Sequence, residues 1–211
     1  VKVDAEPGAE ILTLQDFRVT GVGPLDFTLK QNEIVGLVGL RGAGHEAISR
    51  ALFGLEAHEG TVTLAGAKPD LSTPQTAMQE GIGLVAKDRT EESVAMSLTI
   101  RENTFLNPDG IGRALLNLLS PRKEADQAAI IGAELGLSPN DPSLAIEALS
   151  GGNQQKVVIG RWLATKRTLL LCEDPTAGVD VGAKAEIYAL LNRALADGVG
   201  IVVISTDFEE L

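Results

Sequence analysis

Three short segments of this 211-residue chain combine residue types and spacings suited to phosphate chemistry. The first is Gly39-Leu40-Arg41-Gly42-Ala43-Gly44-His45-Glu46, which follows an apolar run and opens a helix-forming one. Backbone N–H groups of a glycine-rich turn form a nest for anions, and a helix N-terminus adds partial positive charge. The pattern G-x-x-x-x-G-K-[ST] places Lys and Ser or Thr where this chain has His45 and Glu46. Histidine is mostly neutral at pH 7, so the lysine point charge on the β- and γ-phosphates is missing. Glu46 puts a carboxylate where a Mg²⁺-binding hydroxyl belongs. Like charges near 4 Å at an effective dielectric of 20 repel by roughly 4 kcal/mol. Arg41 returns some positive charge from within the loop. The alternative reading is that Gly39 to Gly44 form only a tight strand-to-helix turn.

The second segment is Leu149-Ser150-Gly151-Gly152-Asn153-Gln154-Gln155-Lys156. A serine hydroxyl, two glycines with bare N–H groups and a helix start make an anion-facing cap. A serine-capped helix with incidental glycines is the bland alternative. The segment resembles the LSGGQ signature of ATP-binding cassette (ABC) proteins, in the LSGGNQQK form of sugar importer ATPases. The third segment, Leu169-Leu170-Leu171-Cys172-Glu173-Asp174-Pro175-Thr176, begins 19 residues after Ser150. It resembles a Walker B strand ending in Asp-Glu-Pro-Thr, with the two acids exchanged. In that family the first acid holds Mg²⁺ through water and the second positions or deprotonates the attacking water. Glu173 is one methylene longer than the family residue and Asp174 one shorter. A displacement of about 1 Å costs ~10²-fold in rate. Two acids at a sheet edge capping the next turn are the alternative.

Smaller elements of the family pattern are also recognisable. Lys87, within Leu84-Val85-Ala86-Lys87-Asp88-Arg89, stands at the Q-loop position, where a Gln normally touches Mg²⁺ and contacts the transmembrane partner. Thr206 stands at the switch-histidine position and lacks an imidazole. Asp180, in Ala177-Gly178-Val179-Asp180, matches the D-loop. The stretch from Gly178 to Tyr188 is similar to the second cassette of ribose-, galactose- and xylose-type importers. Phe17 is the nearest aromatic to the adenine-stacking position and matches it poorly.

These segments need elements to hold them. Residues 1–10, with Pro7 and Gly8, read as a linker. Strands are expected at Ile11 to Leu14, at Phe27 and Leu29, at Glu33 to Val38 (buried), at Thr61 to Leu64 and at Ile82 to Val85. Others are expected at Leu169 to Cys172 and Gly200 to Ile204. Ala47 to Phe53 reads as a helix stopped by Gly54. Thr73 reads as a helix cap with Pro74 at the first position and Gly81 at the stop. From about Asp88 to Leu149 the β-branched runs give way to helix formers, with a helix from Ser120-Pro121 to about Leu135. Ser150 and Asp180 each cap a further helix. Behind Asp180, residues Ile187, Leu190, Leu191, Ala194 and Leu195 share one face. Short buried strands alternating with helices imply a mostly parallel sheet covered on both faces.

Composition narrows the function classes. Hydrophobic residues are 44% and charged residues 22%, a globular chain with a real core. A net charge of −11 disfavours nucleic acid or anionic lipid as a broad partner. No apolar run is long enough to span a bilayer, and Val1-Lys2-Val3-Asp4 is not a signal peptide. One Cys and two His exclude an internal disulfide and a zinc framework. The resemblance therefore implies an α/β fold: a P-loop ABC-cassette core over residues 11–211, with a helical subdomain at about 88–150. It implies ATP and Mg²⁺ as ligands, with the chain's own Walker A/B site degenerate. The phosphate loop is Gly39, Arg41, Gly42, Ala43, Gly44, His45 and Glu46. Glu173 is the metal position, with Asp174 and Thr206 at the catalytic positions. Ser150, Gly151, Gly152, Asn153 and Gln154 would face ATP held by a partner cassette. That partner is expected to be the N-terminal half of the same polypeptide, this chain being an excised C-terminal piece. A membrane permease and, indirectly, a periplasmic sugar-binding protein complete the assembly at the cytoplasmic face of the inner membrane. The rival readings are a free-standing slow P-loop ATPase, a DNA-repair or chromosome-structure ABC protein and a non-catalytic dimerisation module. The chain is expected to be a domain of an ATP-hydrolysing sugar transporter and to be inactive in isolation.

Overall fold

The computed structural model describes residues 8–40, 42–106 and 120–207. Most of the expected linker (residues 1–7) lies outside the described residues. Two compact units emerge. The first takes described residues from 8–85, 167–174 and 191–207, and the second takes those from 86–166 and 175–190.

The first unit holds two sheets. Strands β1 (Glu10–Val19), β2 (Val22–Lys30) and β4 (Glu59–Leu64) pair antiparallel in the order β2-β1-β4. The β1–β4 register shifts between Gln15 and Arg18. There Asp16 has φ 49° and the Asp16 carbonyl comes so close to Gly60 (φ 88°) that no Cβ fits. Glycine is required at 60 to let the two backbones approach.

Strands β3 (Ile34–Val38), β5 (Ile82–Val85), β6 (Leu169–Glu173) and β7 (Gly200–Ser205) are all parallel, in the order β3-β7-β6-β5. Every residue of β5, β6 and β7 is buried. The expectation of a buried strand at Glu33 to Val38 is corrected: among the described residues β3 pairs only with β7, and Ile34 is 47% exposed. An edge strand has one open flank, so an apolar run there is covered less completely. Helix α1 (Glu46–Leu52) contacts β6 and β1, and Ile48, Ala51 and Leu52 are buried on its inner side. Helix α2 (Pro74–Gln79) contacts β5. It begins as expected, with Thr73 Oγ1 accepting from Thr76 N at 3.2 Å and Pro74 at the first position. Gly81 (φ 87°) follows its end.

The second unit is helical among its described residues, with no named strand. It contains α3 (Ile100–Thr104), α4 (Pro121–Glu134), α5 (Gly151–Leu163) and the first part of α6 (Val181–Ala196). Arg89–Ser93 form a wide π-type turn and Ile146–Ala148 a 3₁₀ turn. Thr99 and Glu102 form a reciprocal capping box at α3, and Ser120 caps α4. Gly160 of α5 meets Leu135 so closely that a side chain there has no room. Val157, Val158, Ile159 and Trp162 bury the rest of α5. In α6, Ile187, Leu190, Leu191, Ala194 and Leu195 are all buried, the face the spacing gives. Among the described residues no helix is long and apolar enough to cross a membrane.

Candidate functional site

The parallel sheet brings three chain ends to one edge. Val38 lies beside Ser205, and Glu173 lies beside Ile204. The loop after β3, the acids after β6 and the turn after β7 therefore share the C-terminal edge of the strands, where open α/β sheets bind ligands. Gly39 N–H donates to the Ser205 carbonyl at 3.3 Å, tying the loop's first residue to β7.

Gly42 and Gly44 both have φ 80°, a left-handed geometry that suits glycine and curls the backbone as in an anion nest. Arg41, expected to supply loop charge, lies outside the described residues. Ala43 N donates to the Leu40 carbonyl at 2.9 Å, and Ala47 N to the Gly44 carbonyl at 2.9 Å. His45 is only 6% exposed. Its ring folds back over Gly39, where an added Cβ would lie 2.7 Å from Nδ1. Neither ring nitrogen has a hydrogen-bond partner among the described residues. Glu46 opens α1. With seven residues, α1 is short, and its dipole is correspondingly small.

Both strand-end acids are engaged inside this unit. Glu173 is 1% exposed. Ser49 Oγ donates to its Oε1 at 2.6 Å, and Arg50 Nη2 lies 3.7 Å from Oε2. Asp174 has φ 40°, a costly conformation for a residue with a side chain. Its Oδ1 accepts from Ser205 Oγ at 2.7 Å and from Thr206 N at 3.1 Å. Its own N–H donates to the Ile204 carbonyl at 2.8 Å. Thr206 thus meets Asp174 through its backbone. Among the described residues no three His, Cys, Asp or Glu side chains are grouped to hold a metal ion.

In the second unit, Ser150 stands at the start of the 13-residue α5. Its Oγ accepts from Asn153 N at 3.4 Å and from Asn153 Nδ2 at 3.1 Å. With both lone pairs taken, the hydroxyl proton is left to donate outward. Asn153 Nδ2 also donates to the Ser138 carbonyl at 3.0 Å, fixing the cap. Gly152 packs against Ala183 without space for a Cβ. A Cβ at Gly151 would lie 3.0 Å from Arg89 Nη2 and 3.5 Å from the Gly178 carbonyl oxygen. Asp180 Oδ1 accepts from Ala183 N at 2.9 Å and caps α6, as expected. Ser150, Asn153, Lys156, Asp180 and Glu186 line a cavity of about 240 Å³.

Gln154 is buried, and its amide is used internally. Nε2 donates to the carbonyls of Ile146 and Leu149 at 3.2 and 3.1 Å, and Oε1 accepts from Arg89 Nε at 3.3 Å. Its side chain holds the signature turn. Lys87, placed by sequence at the Q-loop position, is exposed. Phe17 is fully buried and stacks on His58 at 5.2 Å between ring centroids, so it is not available to a nucleotide base.

Two cations were not singled out by sequence reasoning. Arg89 is half-buried beside Gly151 and bonds Gln154, and desolvation pulls its pKa below the usual arginine value. Lys156 is buried, with Nζ donating to Glu186 Oε2 and to the Gly136 carbonyl, both at 2.7 Å. Lys156 was visible as the last residue of the signature segment. Nothing in the sequence announces the turn that brings Arg89 to Gly151.

Comparison with known proteins matches this geometry to a family. The model of the ABC transporter family matches residues 22–177. The ribose import ATP-binding protein RbsA 3 of Rhizobium meliloti is 39% identical over 207 residues, covering 97% of this chain and 41% of that protein. The fructose import ATP-binding protein FruK of Bifidobacterium longum is 40% identical over 194 residues, covering 90% of this chain and 37% of that one. The chain thus spans about two fifths of the length of these relatives. Among solved structures, MJ1267, an ATP-binding cassette of an ABC transporter, superposes with a TM-score of 0.78 at 21% identity, covering 95% of this chain and 83% of that chain. The bacterial ABC transporter cassette MJ0796, solved as a dimer, gives 0.76 at 22% identity, covering 95% and 90%. At these identities the solved structures speak for the fold alone, and the family match over most of the chain carries the assignment: the protein belongs to the ABC transporter family and has the fold of its ATP-binding cassette.

Proposed function

We propose that this chain is the nucleotide-binding cassette of a sugar importer that lends its signature to ATP held by a second cassette. The observation that carries the reading is Ser150: its oxygen is saturated by Asn153, its proton is left to donate, and the N–H groups of Gly151 and Gly152 open a helix behind it. Such a cap suits a γ-phosphate presented from outside the chain. The chain's own loop suits that role poorly, since His45 folds over Gly39 and Glu46 replaces a hydroxyl.

The second cassette is the N-terminal half of the same polypeptide. This chain spans about two fifths of relatives that are sugar import ATP-binding proteins, which leaves room for another cassette of equal size. Exposed Lys87 contacts a membrane permease at the cytoplasmic face of the inner membrane, and a periplasmic sugar-binding protein delivers the cargo. ATP closure over Ser150 drives the permease.

The test is sugar uptake into proteoliposomes holding the full-length ATPase polypeptide, its permease and its binding protein. Ser150→Ala is expected to reduce ATP-dependent uptake of a ribose-class sugar by at least tenfold, in line with loss of one transition-state donor. Uptake at the wild-type rate would overturn the proposal.

A further inference from the structure

We infer that the two acids at the end of β6 are internal braces and not a metal site, so that whatever anion this chain's own loop takes is bound without a divalent cation. The inference rests on matching Gly39 to Glu46 and Glu173-Asp174 to the family's phosphate loop and strand-end acids.

A carboxylate kept for a metal ion needs lone pairs aimed at open space. In both acids one oxygen already accepts a hydrogen bond within this unit, and the other oxygen of Glu173 faces a guanidinium. Glu173 reaches across to α1, where Ser49 Oγ occupies one oxygen at 2.6 Å and the Arg50 guanidinium stands 3.7 Å from the other. Ser49 is fully buried and also lies 2.8 Å from the Glu46 carbonyl oxygen, so the contact is locked within the helix's first turn. Arg50 brings a positive charge to Glu173, as a bound cation would, but from a covalently fixed position.

Asp174 is held differently, to the same end. Its left-handed backbone is retained by its N–H on Ile204, and its Oδ1 accepts from both Ser205 Oγ and Thr206 N. Ser205 in turn holds Gly39 N–H. Asp174 thereby fixes the turn after β7, which anchors the start of the loop. Glu46 stands in place of a hydroxyl, a carboxylate charged against phosphate, and among the described residues no three His, Cys, Asp or Glu side chains are grouped to hold a metal ion. Mg²⁺ does not fit this donor set.

The experiment is thermal unfolding of the chain with 5 mM ATP, in excess MgCl₂ or in EDTA, against the same buffers without nucleotide. The ATP-induced shift of the midpoint is expected to be positive and equal in the two conditions, and no shift in either would overturn the inference that the loop takes an anion. A shift that requires Mg²⁺ would overturn the inference. The second arm removes the braces. Ser49→Ala and Glu173→Gln are each expected to lower the midpoint by about 2–6 °C, and the double variant by less than their sum. An unchanged or raised midpoint for Glu173→Gln, as for an acid retained for a ligand at the expense of the fold, would overturn it. Should Glu173→Gln fail to fold, Ser49→Ala and Arg50→Gln carry the same reading, with unchanged midpoints contradicting it. None of these outcomes touches the Ser150 reading, which is tested by transport and fails independently.

Discussion

Ser205 Oγ donates a 2.7 Å hydrogen bond to Asp174 while the Ser205 carbonyl holds Gly39 N–H. One residue at the end of β7 therefore joins the acid after β6 to the loop after β3. Three neighbouring parallel strands make this possible, because their C-terminal ends are level: Val38 pairs with Ser205, and Glu173 with Ile204.

Ser205→Ala is expected to destabilise the fold by about 1.5–3 kcal/mol, the range for a hydrogen bond to a charged group. The buried Asp174 carboxylate loses its hydroxyl donor and keeps the Thr206 N–H. Urea unfolding, read as the midpoint times an unchanged slope, measures the loss.

Lys156→Ala removes a buried ammonium from the Gly136 carbonyl and from Glu186. Glu186 is more than half exposed, so the ion pair itself contributes little. The cost, about 1–3 kcal/mol, comes from the carbonyl left unpaired and from lost packing. Because Lys156 follows Ser150 on α5, the variant is also expected to lower sugar-stimulated hydrolysis in the complete transporter. Stability and phosphate release measured on the same preparation check both effects.

The chain alone is expected to bind Mg-ATP more weakly than about 0.1 mM. A charge-assisted phosphate contact contributes roughly 1.5–3 kcal/mol, or one to two decades of affinity, and the loop lacks its lysine. Burial of Phe17 removes the nearest aromatic from reach of a base. Isothermal titration is the measurement, and a dissociation constant near 1 μM would contradict the expectation.

His45→Lys is expected to leave hydrolysis by the chain at background. It restores one phosphate contact, but Glu46 stays at the head of α1, and Glu173 and Asp174 stay engaged with Ser49 and Ser205. Groups that act as a unit are not repaired singly. Phosphate release at about one turnover per second or faster, an ordinary enzyme rate, would show the site to be competent.

What the sequence announced was local. Thr73 with Pro74, Ser120, Ser150 and Asp180 each cap a helix through their own side chains, and such signals span three residues. The buried parallel strands β5, β6 and β7 were legible as short apolar runs, which is why the α/β class could be read. Pairing was not legible. That β1, β2 and β4 form a separate antiparallel sheet depends on partners up to about fifty residues apart, as in Leu12 with Leu64. The exposure of β3 depends on its place in the strand order and not on its own residues. The candidate site divides in the same way. Gly39 to Glu46, Ser150 to Gln154 and Glu173-Asp174 stood out by type and spacing. The engagement of Glu173 by Ser49 did not, because those residues lie 124 positions apart and meet only through the packing of α1 on β6. Gln154 looked like a ligand-facing amide; only the turn at Arg89–Ser93 shows what its oxygen accepts.

The central claim is that the signature of this chain matters and its phosphate loop does not. Gly151→Asp would place a bulky negative side chain beside Ser150, blocking an incoming γ-phosphate sterically and by charge at a cost of several kcal/mol, about that of like charges in contact near a protein surface. His45→Ala would alter only a ring folded over the chain's own loop. The decisive measurement is sugar-stimulated ATP hydrolysis by the complete transporter with its binding protein, the two variants assayed side by side. The account expects Gly151→Asp to abolish the activity and His45→Ala to keep most of it; an active Gly151→Asp beside a dead His45→Ala would contradict it.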